Sequence, residues 1–225
     1  MPVDPRADIE ISAFRWVPPF AEGLVRDMRV RWALEEVGLA YRERLLDAAV
    51  ERPEDYFQEQ PFGQVPVFRE PGIRLFESGA IVLHVAERSP VLMPRDPAGR
   101  ARTTAWVFAA LNSVEPMVSE LGTIDLFHAD ADWARLRRPE VEAKIRGRLG
   151  RLADRLAERD YLEDRFTAGD LMMTTVLRSL RHTDIVAADP VLGPYQARCE
   201  ARPAFQRALD AQIAAFRQAE PVEMA

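Results

Sequence analysis

The spacing of apolar and polar positions changes period several times over the first ninety residues. In "IEISAFRW" (9–16), Ile9 and Ile11 alternate with Glu10 and Ser12, the two-residue period of a half-buried strand. "LVRDMRVRWALEEVG" then sets Val30, Ala33, Leu34 and Val37 at i, i+3, i+4 and i+7, and Gly38 stops the amphipathic helix. "AYRERLLD" reads as a second strand and "RPEDYFQEQ" as a short helix with proline near its start. "VPVF" and "IRLF" read as two strands joined by the hairpin turn "REPG", and "SGAIVLHVAER" as a closing helix. The order is β-α-β-α-β-β-α, which predicts a mixed sheet with helices on its faces.

Past residue 90 the strand signal vanishes. "SPVLMPRDPAGR" (89–100) carries three prolines and a glycine and reads as a linker. Residues 103 to about 121 are helical in pattern, and Val141, Ile145, Leu149, Leu152 and Leu156 keep to one helical stripe. "GDLMMTTVLRSL" is apolar nearly all round, as a helix at the centre of a bundle would be, and Phe205, Leu209, Ile213 and Phe216 mark a terminal helix. The expected division is an α/β domain over 1–88, a linker over 89–100 and an all-helical domain over 101–225.

Composition narrows the function. The 225 residues carry a net charge of −6, which disfavours a nucleic-acid role because phosphate binding needs a basic surface. No apolar run approaches the ~18–20 residues of a membrane span. The acidic start "MPVDPRADIE" lacks the apolar core of a signal peptide, so a cytoplasmic location is expected, with no membrane partner. Cys199 is the only cysteine, which excludes an internal disulfide or CxxC pair. With His84, His128 and His182 in no ligand spacing, no metal site is expected.

Pro66 sits among Val65, Val67 and Phe68, where a central strand would exclude it. Proline is admitted at the first residue of a strand, and X-Pro bonds are those for which cis costs only roughly 0.5–1 kcal/mol. Downstream, "FESGA" places Glu77 and Ser78 at the start of a helix. The plainer reading is that Ser78 caps a helix starting at Gly79 while Glu77 is a solvated charge; yet a helix N-terminus also binds carboxylates. In "FTAGDLMM", Thr167 and Asp170 form a capping box, and Phe166 with Leu171 a hydrophobic staple, so Asp170 is read as a folding residue.

Taken in order, "RDMRVRWALEEVGL", "QVPVF", "LFESGAIVLHVAE" and "FTAGDLMMTTVLRSL" resemble the cytosolic glutathione S-transferases of the bacterial type, over about residues 9–216. The resemblance implies a thioredoxin-like N-terminal domain (βαβαββα) followed by a helical-bundle C-terminal domain, glutathione as co-substrate, and usually a homodimer. It implies a cis Val65–Pro66 bond, with the Val65 backbone pairing the cysteinyl backbone of glutathione. Glu77 and Ser78 would hold the γ-glutamyl group, and Gln64 would reach the glycyl end.

The chain departs from the family where the catalytic side chain belongs. Members supply a serine, cysteine or tyrosine after the first strand, but between Ser12 and Tyr41 this chain has no serine, threonine, tyrosine or cysteine. Pro18 or Leu24 falls at the matching position, depending on the alignment. Trp16 and Arg26 are the candidates to stabilise the thiolate, with Arg15 and the backbone N–H groups of Phe20 to Gly23 as further donors. The plainer reading makes Trp16 a hydrophobic lid and Arg26, Arg29 and Arg31 a solvated face, or salt bridges to Asp27, Glu35 or Glu36. Ser12, mid-strand, is the poorer candidate, and Cys199 and His84 read as packed residues. Trp16, Phe20, Trp106 and Met117 are candidates for an apolar second-substrate pocket. The expected function is a detoxifying transferase that conjugates glutathione to small, apolar electrophiles, with isomerisation or reductive dehalogenation as related chemistry. The alternative is a non-catalytic glutathione- or apolar-ligand-binding protein, or an interaction scaffold, of the same fold.

Overall fold

Strand β1 (Ile9–Phe14) forms where the alternation predicts and runs inside a four-stranded sheet of order β2-β1-β3-β4. It pairs in parallel with β2 (Tyr41–Leu46), from Ile9↔Tyr41 to Phe14↔Leu46. Parallel neighbours need a crossover, and α1 (Asp27–Val37) supplies it. Gly38, at φ 75°, ends α1 in the left-handed conformation that glycine adopts without a Cβ clash. A short helix α2 (Glu54–Phe57) follows, then β3 (Phe68–Glu70), antiparallel to β1, and β4 (Ile73–Leu75), antiparallel to β3. Helix α3 (Ser78–Ala86) closes the thioredoxin-like βαβαββα pattern. Strand β3 starts two residues past Pro66, so the proline never enters a ladder.

The computed structural model describes residues 2–217, which divide into two compact units: residues 2–93 with 202–217, and residues 94–201. In the first, the terminal helix α9 (Pro203–Arg217) packs on α1, whose other side meets α3. Every residue of α1 from Asp27 to Glu35 is consequently buried, charged ones included. This differs from the expected division at 101–225, which placed the terminal helix with the helical half. The stripe that α9 buries is Phe205, Ala208, Gln212, Ala215 and Phe216, with Leu209 and Ile213 only half-buried.

The second unit is helical: α4 (Pro97–Phe108), a π-helical turn (Ala109–Val114), α5 (Glu115–Phe127), α6 (Asp132–Leu156), α7 (Ala168–Arg178) and α8 (Leu192–Glu200). The π turn lies just before Pro116, whose missing N–H breaks the regular ladder. The expected linker is shorter than 89–100, because α4 starts at Pro97 with the Asp96 carboxylate accepting from Gly99 N–H at 2.7 Å. Its proline was a helix-start signal as well as a breaker. Helix α8, where Cys199 is buried, carried no clear sequence pattern. Helix α7 is buried at every residue, as its all-round apolar sequence predicts. At Gly169, a Cβ would stand 2.6 Å from Trp106 Cβ, so only glycine lets α7 approach α4 this closely. The capping box of Thr167 and Asp170 forms in full. Among the described residues no helix is long and apolar enough to cross a membrane.

Candidate functional site

The Val65–Pro66 peptide bond is cis. Its neighbours are tied on both sides. Val67 N–H donates to Ser12 Oγ at 2.7 Å, and Val67 C=O accepts from Ser12 N–H at 2.8 Å. The Gln64 carbonyl accepts from the Tyr56 hydroxyl at 2.6 Å. Between these anchored residues, neither the N–H nor the C=O of Val65 has a hydrogen-bond partner among the described residues. A backbone with both groups unpaired is a short edge to which an extended peptide can add.

Helix α3 begins at Ser78, one residue earlier than the sequence suggests, so Ser78 is its first helical residue and not its cap. The cap position falls to Glu77, exposed, with φ 69° and ψ 111° and no side-chain bond to the helix. A non-glycine residue held at positive φ costs on the order of 1–3 kcal/mol, and such residues gather at ligand sites. The buried Ser78 hydroxyl accepts from the Arg29 guanidinium at 3.1 Å. The free N–H groups of the first turn, the positive helix end and a buried guanidinium thus meet at one point, which suits a carboxylate. Glu77 beside them suits an ammonium group. Arg29, expected on a solvated face, is buried because α1 is covered by both α3 and α9.

The segment between β1 and α1 folds as a 3-10 turn (Pro19–Ala21) and a loop. Its backbone donors are mostly spent: Ala21 N–H goes to Pro18 C=O, Glu22 N–H to Pro19 C=O, and Gly23 N–H to Gln212 Oε1 at 2.9 Å. These three amides therefore drop out as candidates to face a thiolate. Trp16 is half-buried, and its indole N–H has no partner among the described residues. Arg26 is exposed and donates to Gln64 Oε1 at 3.2 Å, which ties the loop to the cis-proline segment. Arg15 is exposed. Ser12, Gln64, Val65, Pro66, Ser78, Arg26 and Arg29 are thus linked by hydrogen bonds or chain continuity in the first unit.

Around these residues the charges are structural. Arg31 is wholly buried between Asp27, at 2.6 Å, and Glu43. Burial works against its charge, yet Asp27, Tyr41 and Glu43 hold its proton more tightly than in an ordinary arginine. Gln212 Nε2 donates to the other Asp27 oxygen at 2.9 Å. Burial raises the Tyr56 phenol, so it stays a neutral donor. His84 packs against Phe68 and bonds Glu70 at 2.7 Å, a structural role. Arg29, Tyr56 and Gln212 are the residues that sequence reasoning missed. Tyr56 is aromatic within a short helix and carries no other signal.

Comparison with known proteins bears on this arrangement directly. The glutathione S-transferase N-terminal domain family matches residues 22–87. A maleylacetoacetate isomerase from Rhizobium meliloti is 33% identical over 190 residues, covering 80% of this chain and 89% of that protein. A glutathione transferase from Burkholderia graminis, solved with two glutathione molecules bound per subunit, superposes with a TM-score of 0.80 at 25% identity, covering 91% of this chain and 88% of the other. A theta class glutathione S-transferase from Xanthomonas axonopodis pv. citri, solved with glutathione bound, gives 0.76 at 26% identity, over 90% and 97% of the two chains. With the thioredoxin-like sheet, the cis-proline edge and likeness at this length, the chain belongs to the glutathione S-transferase family.

Proposed function

We propose that the protein binds glutathione on its first unit and transfers the thiolate to small apolar electrophiles. The observation that carries this reading is the unpaired Val65 backbone, held between two anchored residues beside the first turn of α3. The cysteinyl backbone of glutathione pairs there as a short added strand. Its γ-glutamyl carboxylate lies at Ser78 and the α3 N-terminus, its ammonium at Glu77, and its glycyl end toward Gln64. Trp16 Nε1–H and the Arg26 guanidinium stabilise the thiolate, and proximity supplies much of the remaining rate. The name of the Rhizobium meliloti relative keeps isomerisation within the same chemistry. The protein works in the cytoplasm as a homodimer; the exposed Phe62, in edge contact with Phe76, is the kind of aromatic pair a partner subunit covers.

One observation favours the second reading, a binder without catalysis. The only hydroxyl on β1, that of Ser12, is buried and spent on Val67 and Tyr56. A calorimetric titration of glutathione, with ultraviolet absorbance read for thiolate at neutral pH, separates the two. Binding is expected, and Glu77→Ala or Ser78→Ala should weaken it by roughly 1.5–3 kcal/mol, the worth of a charge-assisted contact. Equal affinity in wild type and both variants would misplace the site. Binding without thiolate absorbance, and without conjugation across a panel of electrophiles, would leave the binding protein.

A further inference from the structure

Ser12 and Tyr56 are both 1% exposed, and a buried hydroxyl is costly unless hydrogen-bonded. Their bonds run in one direction. Val67 N–H donates to Ser12 Oγ at 2.7 Å, and Tyr56 spends its single hydroxyl hydrogen on the Gln64 carbonyl at 2.6 Å. At the 2.8 Å contact between the two hydroxyls, Ser12 must therefore be the donor and Tyr56 the acceptor. The chain Val67 to Ser12 to Tyr56 to Gln64 begins and ends on the residues flanking the Val65–Pro66 pair.

We propose that Ser12 and Tyr56 are positioning residues for glutathione, fixing the backbone on both sides of Val65 so that its N–H and C=O face the cysteinyl backbone already aligned. This rests on the site reading above. An edge held in its bound direction before the ligand arrives spares the ordering cost of binding. Position 12 requires a side chain that both accepts and donates, which explains a buried hydroxyl at this place in β1. Alanine at 12 strands Val67 N–H; phenylalanine at 56 leaves the Gln64 carbonyl free to turn.

The test measures glutathione affinity by calorimetry for wild type, Tyr56→Phe, Ser12→Ala, the double variant and the conservative Ser12→Thr. Free glutamate, which has the γ-glutamyl carboxylate and ammonium but no cysteinyl backbone, is measured as a competitor in parallel. Each single variant should weaken glutathione about three- to tenfold, the range of one hydrogen bond, and leave glutamate unchanged. The double variant should be no weaker than the weaker single, because both break one chain, and Ser12→Thr should restore affinity. If Ser12→Ala does not fold, Tyr56→Phe alone decides. Unchanged glutathione affinity in folded variants overturns the proposal while leaving the site reading intact, as does equal weakening of glutathione and glutamate. A wild-type protein that binds no glutathione overturns both.

Discussion

On the proposed reading, Trp16 offers the thiolate a half-buried N–H with no partner among the described residues, in the segment between β1 and α1. Arg26 adds permanent charge and is already oriented by Gln64. A thiol free in water has a pKa of about 8.5, and only nearby positive charge or aligned donors lower it. Trp16→Phe and Arg26→Ala should each raise the pKa of bound glutathione and slow turnover at neutral pH, with glutathione affinity largely kept. Absorbance of the bound thiolate against pH reads this directly, each unit being about 1.4 kcal/mol of lost preference. A curve unchanged in both variants would remove them from the mechanism. Val65, Pro66, Glu77 and Ser78 entered as candidates through short motifs that resemble the family's. Arg29 was not, because nothing in "RDMRVRW" tells which arginine the α3 terminus will meet.

Capping chemistry made α7 the most legible element. Thr167 accepts from Gly169 N–H at 3.2 Å, and Asp170 accepts from Thr167 N–H at 2.9 Å. Thr167→Ala should lower stability by about 1 kcal/mol without changing glutathione affinity; an unmoved denaturation midpoint would refute that. Asp170 also accepts from Leu162 N–H at 2.8 Å and the Tyr195 hydroxyl at 3.0 Å. Burial outweighs these contacts and lifts its carboxyl to about 6 from 3.8. The folded state therefore binds this proton more tightly than the unfolded chain. Stability from this group is fully present below about pH 4 and is lost as pH rises through about 6. Unfolding free energy should thus carry an Asp170 contribution that grows as pH falls from about 7 to about 4. Asp170→Asn should flatten that slope in denaturant titrations, and parallel slopes would exclude the group. Other elements were harder to read. The linker's prolines concealed the start of α4, and α8 had no stripe to show.

Residues 2–93 and 202–217 together build the first unit. Helix α9 and the residue before it are tied to α1: Arg202 bonds both Glu36 oxygens at 2.6 and 2.7 Å, and Arg207 bonds Glu35 at 2.6 Å. Gln212, fully buried, bridges the Gly23 amide and the Asp27 carboxylate. Gln212→Leu keeps the size but leaves a buried N–H and a buried carboxylate oxygen without that partner. It should cost about 1–3 kcal/mol in chemical denaturation, and a loss much smaller than that would show the bridge to be dispensable. Periodicity, prolines and caps act between residues a few positions apart, so the order of elements, the hairpin and the α7 cap could be read along the chain, while the cis-proline edge was implied by the family resemblance. The burial of Arg29 and Arg31, the attachment of α9 to the first unit and the Ser12 chain could not. They join residues separated by 55 positions at Ser12 and Val67 and by 189 at Gly23 and Gln212, and only packing of the finished helices and sheet selects such partners.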